Sequence, residues 1–254
     1  MARLFRAFLL VGILALAGGL ARGETAEALI AKGDLCNQRL QTREALQYYL
    51  PADKLQPNNA GLLVRIARQY RHLMSDTSSP KEKLRLGRIS LGFAQRAAAL
   101  DPKNSEAQLS PAISYGKMLP YMAAREQVDD TPRIKVAVDR ALRLDPNNDT
   151  AWHVLGRWDR TLAGVSTVKR LLAAAIYGPL PVTTNEAAEK CLRKAIAINP
   201  NRVMHYIELG RIYAQMGRNQ DARKFLQKGL SMPNKEKDDP ELKAIGGELL
   251  KKLG

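Results

Sequence analysis

The chain has 254 residues, 45% of them hydrophobic and 26% charged, a balance that excludes an intrinsically disordered chain and suits one or two folded domains. Its 40 Lys and Arg against 25 Asp and Glu leave a formal charge of +15, an excess that calls for an acidic partner or a dispersed basic surface. Two cysteines, Cys36 and Cys191, exclude a disulfide-dense scaffold, and neither they nor the scattered His72, His153 and His205 have zinc-ligand spacing, so no metal and no other cofactor is expected.

In chain order, residues 1–23 come first. Arg3 and Arg6 precede an apolar run from Phe8 to Leu20, which small Ala21 and Gly23 follow. This is the pattern of a cleaved secretory signal, and its apolar run of about 13 residues falls short of the ~20 that span a bilayer. The expectation is an exported mature chain, periplasmic or secreted, beginning near Glu24. The alternative is a membrane anchor through residues 8–20. Loss of Arg3, Arg6 and Arg22 lowers the charge by three, from +15 to about +12, which is still strongly basic.

From residue 24 one punctuation recurs: Leu55-Gln-Pro-Asn-Asn, Leu100-Asp-Pro-Lys-Asn, Leu144-Asp-Pro-Asn-Asn and Ile198-Asn-Pro-Asn-Arg. An Ala-rich amphipathic run precedes each proline, and a second run opened by Asn or Ser as a helix cap follows it. The repeated unit is helix, Pro turn, helix, and the fold class is all-α.

The unit resembles the tetratricopeptide repeat. Counted in that 34-residue frame from Pro200, Tyr206, Leu209, Gly210, Tyr213, Ala222 and Leu226 fall on the family's aromatic, Leu, Gly, Tyr, Ala and bulky places. Trp152, Leu155 and Gly156 do the same after Pro146, and Leu29, Gly33, Ala45, Tyr49, Ala52 and Pro57 form a first repeat without insertion. Small Gly33, Gly156 and Gly210 let paired helices approach, and proline forces the turn. Trp152, Tyr206 and Tyr213 are therefore read as core wedges. The resemblance implies a solenoid of about five antiparallel helix pairs stacked into a right-handed superhelix over residues 24–254, closed by a C-terminal solvating helix.

Successive prolines Pro57, Pro102, Pro146, Pro200 and Pro233 lie 45, 44, 54 and 33 residues apart, so the middle repeats carry inserts near 75–85, 118–131 and 162–184. The first is polar and reads as an exposed loop or a helix extension. In the second, Asp129 and Asp130 read as a turn before a helix start at Thr131-Pro132. The third extends or adds a helix through Ile176, stops at Gly178-Pro179, and restarts with Thr183-x-x-Glu186 as a capping box. Gly156-Arg-Trp158, followed by the stretch from Val168 to Asn201, makes the chain similar to the regulator of microtubule dynamics family over nearly its whole mature length. One departure follows: Asp159-Arg160-Thr161 stands where the family pattern has an uncharged or acidic stretch beginning with a cysteine or aromatic residue. The resemblance implies a non-catalytic adaptor.

The first helix of each pair in such an array lines a concave groove. The groove places carry Arg68, Arg71, His72, Lys117, His153, Arg157, Arg160 and Arg211, with few acidic residues among them, chiefly Asp34. This suits an acidic or extended peptide held by charge-assisted hydrogen bonds, and the chain is read as a protein- or peptide-binding monomer or weak oligomer. No aromatic stacking platform accompanies the basic residues, so nucleic acid is not expected. No phosphate loop or nucleophile-base ordering appears either, and no catalytic residue is assigned. The segment 165–177 sets Lys169 and Arg170 beside an apolar face. It is expected to pack on a neighbouring helix, with contact to a membrane surface as the alternative. A microtubule-type or membrane-surface scaffold is the alternative function if residues 1–23 are retained.

Overall fold

A computed structural model describes residues 24–254; the signal-like segment 1–23 lies outside the described residues. Among these residues the chain forms twelve α-helices and no strand: α1 (Ala26–Gln38), α2 (Thr42–Leu55), α3 (Ala60–Ser75), α4 (Pro80–Leu100), α5 (Ser105–Met118), α6 (Ala124–Leu144), α7 (Asp149–Ala163), α8 (Thr167–Ile176), α9 (Asn185–Ile198), α10 (Val203–Gln215), α11 (Asn219–Ser231) and α12 (Asp239–Lys252). Five antiparallel pairs stack in order, α1 with α2, α3 with α4, α5 with α6, α7 with α9 and α10 with α11, and α12 packs on the last pair. This is an all-α tetratricopeptide-repeat solenoid.

The recurrent Pro-Asn punctuation works as local chemistry. Proline cannot continue the preceding helix, and the asparagine after it caps the next one. Asn59, Asn104 and Asn148 each accept a hydrogen bond from the backbone N–H three residues on, at 3.0, 3.1 and 2.9 Å. Between the paired helices sit buried alanines, Ala45, Ala52, Ala94, Ala97, Ala141, Ala188, Ala195 and Ala222, which bring the backbones close, while Tyr49, Leu192, Leu209 and Tyr213 fill the space around them. Beyond the last pair, Leu242, Leu249 and Leu250 of α12, with Leu253 just after it, cover Val203, Ile207 and Leu226, which the next repeat of an endless array would otherwise cover.

The inserts depart from the sequence expectations in three places. Thr131-Pro132 does not start a helix, because α6 begins at Ala124 and carries Pro132 in its interior. Beside Pro132 the Thr131 hydroxyl donates to the Gln127 carbonyl at 2.6 Å, and the Trp158 indole N–H donates to the Thr131 carbonyl at 2.9 Å. The cap of α9 is Thr184, one residue later than expected, since the Thr183 hydroxyl is committed to the buried Asp159 carboxylate at 2.5 Å. Finally, α8 buries none of its residues. The expected packing on a neighbour is absent, and Val168, Leu171, Leu172 and Ile176 stand exposed. Among the described residues, no helix is long and apolar enough to cross a membrane.

Candidate functional site

The groove residues gather at two centres. Arg68, Arg71 and His72 follow helical spacing on one face of α3, and Lys117 of α5 faces them across the concave side. All four line a cavity of about 590 Å³. Its other walls come from α1 (Asn37), the start of α7 (Asp149, Thr150), and the α11–α12 linker (Lys235, Glu236, Lys237, Asp238). The groove is thus closed into a cup by a segment from the far end of the solenoid.

That closure is polar and acidic. The Lys117 ammonium donates to Asp238 at 2.8 Å and to the Ser75 hydroxyl at 3.0 Å. Ser75 in turn donates to Glu241 at 2.6 Å. Lys237 pairs with Asp76 at 2.9 Å. Arg202 grips Glu236 with two hydrogen bonds, 2.7 and 2.8 Å, and reaches Asp149 at 2.8 Å, the bidentate fork for which arginine is suited. Arg202 was not legible as a groove residue, yet a signal existed. It holds the place that asparagine occupies in the caps of α3, α5 and α7, and it makes no side-chain cap, which frees it to reach Asp149 and Glu236.

Charge at the floor is set by burial. Arg71 is 5% exposed, and burial followed by repulsion from Arg68 lowers its guanidinium to about 9, which leaves it a cation at neutral pH. Its hydrogen bonds leave from one nitrogen, Nη1, to the hydroxyls of Ser110 (3.2 Å), Ser114 (3.1 Å) and Ser90 (3.5 Å). Burial lowers His72 to about 4, so it lines the cup as a neutral ring and adds no positive charge. Arg68 is exposed at the rim.

The other four expected residues do not line this cavity. Arg160 and Arg211 flank Glu208 of α10, at 2.5 and 2.9 Å, and Glu208 is 3% exposed. Burial opposes its charge, but Arg160, Arg211 and Arg157 outweigh that and hold the carboxylate at about 2. His153 is buried, with its ring nitrogen 3.3 Å from that of His205, whose other nitrogen meets Asp149 at 2.9 Å. Arg160 and Arg211 are therefore spent on an internal carboxylate, and His153 on internal packing.

A pH dependence follows from the three histidines. Burial depresses His72, His153 and His205 below the ordinary value of 6.5. As pH falls below 6.5 the unfolded chain takes up protons that the folded chain refuses, so stability is full above pH 7 and is lost from about 6.5 down toward 4. The carboxylates Asp149 and Glu208, each held at about 2, keep their contribution down to about pH 4.5, below the interval used for the test. The urea midpoint should fall by the equivalent of a few kcal/mol between pH 7.5 and 5. Equal midpoints at the two pH values would mean that the rings are hydrated in the folded chain.

The sequence profile of the regulator of microtubule dynamics protein 1-3 family matches residues 25–254. Regulator of microtubule dynamics protein 1 of Caenorhabditis elegans is 26% identical over 191 residues, 75% of this chain and 84% of that protein. The bovine regulator of microtubule dynamics protein 3 is 26% identical over 247 residues, 91% of this chain but 51% of that protein. The chain thus spans about half the length of some relatives and most of others. Among solved structures, a thermophilic tetratricopeptide-repeat protein of Thermus thermophilus superposes with a TM-score of 0.62 at 16% identity, covering 89% of this chain and 99% of that one. The pilF protein of Pseudomonas aeruginosa gives 0.53 at 15% identity, covering 90% and 91%. These likenesses are of fold.

Proposed function

The chain belongs to the regulator of microtubule dynamics family, and from that premise we propose that it is a non-catalytic adaptor whose cupped concave face takes an extended acidic peptide. One observation carries the reading: the cup's cations already hold carboxylates delivered by a linker from the same chain, Asp238 on Lys117 and Glu236 on Arg202. An acidic strand from a partner presents the same chemistry to the same groups. Exposed Arg68 at the rim then meets such a peptide first.

The test is the binding of fluorescently labelled hexaglutamate, followed by anisotropy at low and physiological salt. Arg68→Glu should weaken binding about 3- to 10-fold, since a reversed surface charge removes one modest attraction and adds a repulsion. Replacing Asp238 with Asn and Glu236 with Gln should strengthen it by releasing the resident carboxylates. Lys251→Glu with Lys252→Glu, on α12 far from the cup, is the control. At physiological salt the Debye length is about 8 Å, so distant charges are screened while those lining one cavity still act together. Equal loss from Arg68→Glu and from the control pair would leave only diffuse basic attraction.

A membrane-surface scaffold is the second reading, favoured by the exposed apolar face of α8 with Lys169 and Arg170 beside it. Co-sedimentation with anionic vesicles, run with Leu171→Asp and Leu172→Asp, separates the two. Vesicle binding that these changes abolish, with no hexaglutamate binding, would favour the membrane.

A further inference from the structure

We propose that Arg71 anchors a dedicated carboxylate site at the floor of the cup, which takes one Asp or Glu side chain of the acidic peptide. The proposal rests on the groove reading above and assigns its innermost contact. The observation is a buried cation without a paired carboxylate. Arg71 is the one arginine among the buried residues of the described chain, and no carboxylate among the described residues lies within ion-pair distance of it. Three part-buried arginines near the groove differ from it in holding carboxylates: Arg160 and Arg211 have Glu208, and Arg202 has Asp149 and Glu236.

Burying a charge costs several kcal/mol unless a counter-charge and hydrogen bonds compensate it. Neutral hydroxyls supply part of this through Nη1, and the remaining guanidinium donors have no hydrogen-bond partner among the described residues. Two of the three serines have hydrogen bonds besides those from Arg71. Ser90 donates to the Ala67 carbonyl at 2.8 Å and Ser114 to the Ser110 carbonyl at 3.2 Å, and the Ser90 and Ser114 hydroxyls lie 2.9 Å apart. A methionine of similar length would occupy this position between α3, α4 and α5 at less electrostatic cost. The arginine instead lines the cavity wall together with Ser110 and Lys117, where an oxygen anion would meet a guanidinium fork, a hydroxyl and an ammonium. Asp238, the nearest acid of the opposite wall, is taken up by Lys117 and Ser75, which leaves Arg71 for an incoming group. The resident anion of this cup is a carboxylate, and the same class is assigned to the visitor.

Titration calorimetry with glutarate, inorganic phosphate and hexaglutamate tests the site, using the wild type and Arg71→Met. The expected result is that glutarate and hexaglutamate bind the wild type, and that Arg71→Met weakens both by at least about tenfold while its melting temperature stays equal or rises. A purely structural arginine would show the reverse, a lower melting temperature with binding retained. Unchanged hexaglutamate binding by a folded Arg71→Met overturns the carboxylate site and leaves the groove reading standing. Glutarate binding that depends on Arg71, without hexaglutamate binding, keeps the site and removes the peptide. Phosphate binding tighter than glutarate overturns the choice of carboxylate, and no binding of any probe overturns both readings. Should Arg71→Met fail to fold, crystals of the wild type with bromosuccinate decide. A bromine peak in the cup beside Arg71 supports the site, and its absence there overturns it.

Discussion

Substituting Gly156 by leucine is expected to lower the unfolding free energy by at least about 3 kcal/mol. Gly156 of α7 lies where that helix meets α9, and a Cβ added there would fall inside the side chain of Leu192, 3.0 Å from the Ala188 carbonyl oxygen and 3.1 Å from Cys191 Cβ. Leu192 is fully buried, and the Ala188 carbonyl is backbone that cannot rotate aside. The two helices must therefore separate. Alanine gains about 1 kcal/mol of helix propensity over glycine, too little to offset the lost contact, and leucine adds three further carbons. At roughly 2–4 °C per kcal/mol for a chain of this size, melting followed by circular dichroism should fall by on the order of 10 °C. Gly92 of α4 is the counterpart: an added Cβ there meets nothing within 4 Å, so Gly92→Ala should hold or raise the melting temperature. If Gly156→Leu melts as the wild type does, α7 and α9 do not touch at this position.

That interface was readable in the sequence because the repeat fixes it by register. Gly33, Gly156 and Gly210 hold equivalent places, and each faces a large side chain of its partner helix: Tyr49, Leu192 and Leu226. Short-range chemistry of this kind, a proline stop, an asparagine cap or a glycine contact, is set by residues within one unit. The cup is different. Ser75 and Asp238 are 163 residues apart, and they meet only because small rotations between successive repeats accumulate until the α11–α12 linker reaches α3 and α5. No local pattern encodes that sum, so Lys117 was legible as a groove residue while its partner Asp238 was not. The serines beneath Arg71 were hidden for another reason. Ser110 and Ser114 are four apart on α5, a spacing that marks a shared face but does not distinguish a buried polar stripe from a solvated one.

Glu208 was missed by a single place: it follows Ile207, which holds the groove position of α10, and so escaped the count of acidic residues in the groove. Its removal should produce the second large effect. Glu208→Ala is expected to destabilise the chain by about 3–5 kcal/mol, because truncation leaves Arg160 and Arg211 partly buried with no carboxylate between them and with Arg157 still close by. Most of that loss belongs to the orphaned cations. Glu208→Leu combined with Arg160→Met and Arg211→Met should accordingly recover much of it, since apolar groups of similar volume need no counter-charge. The effect also has a pH signature. With its folded value at about 2 and its unfolded value near the ordinary 4.5, Glu208 contributes charge-dependent stability above pH 4.5 that is lost as pH falls toward 2, so wild type and Glu208→Ala should converge in acid. Urea denaturation at pH 7 and at pH 3 measures both differences. A Glu208→Ala variant within about 1 kcal/mol of wild type at pH 7 would show that the three guanidinium groups reach water once the carboxylate is gone. Arg160 and Arg211 would then be available to an acidic partner, and the second basic centre would rejoin the groove.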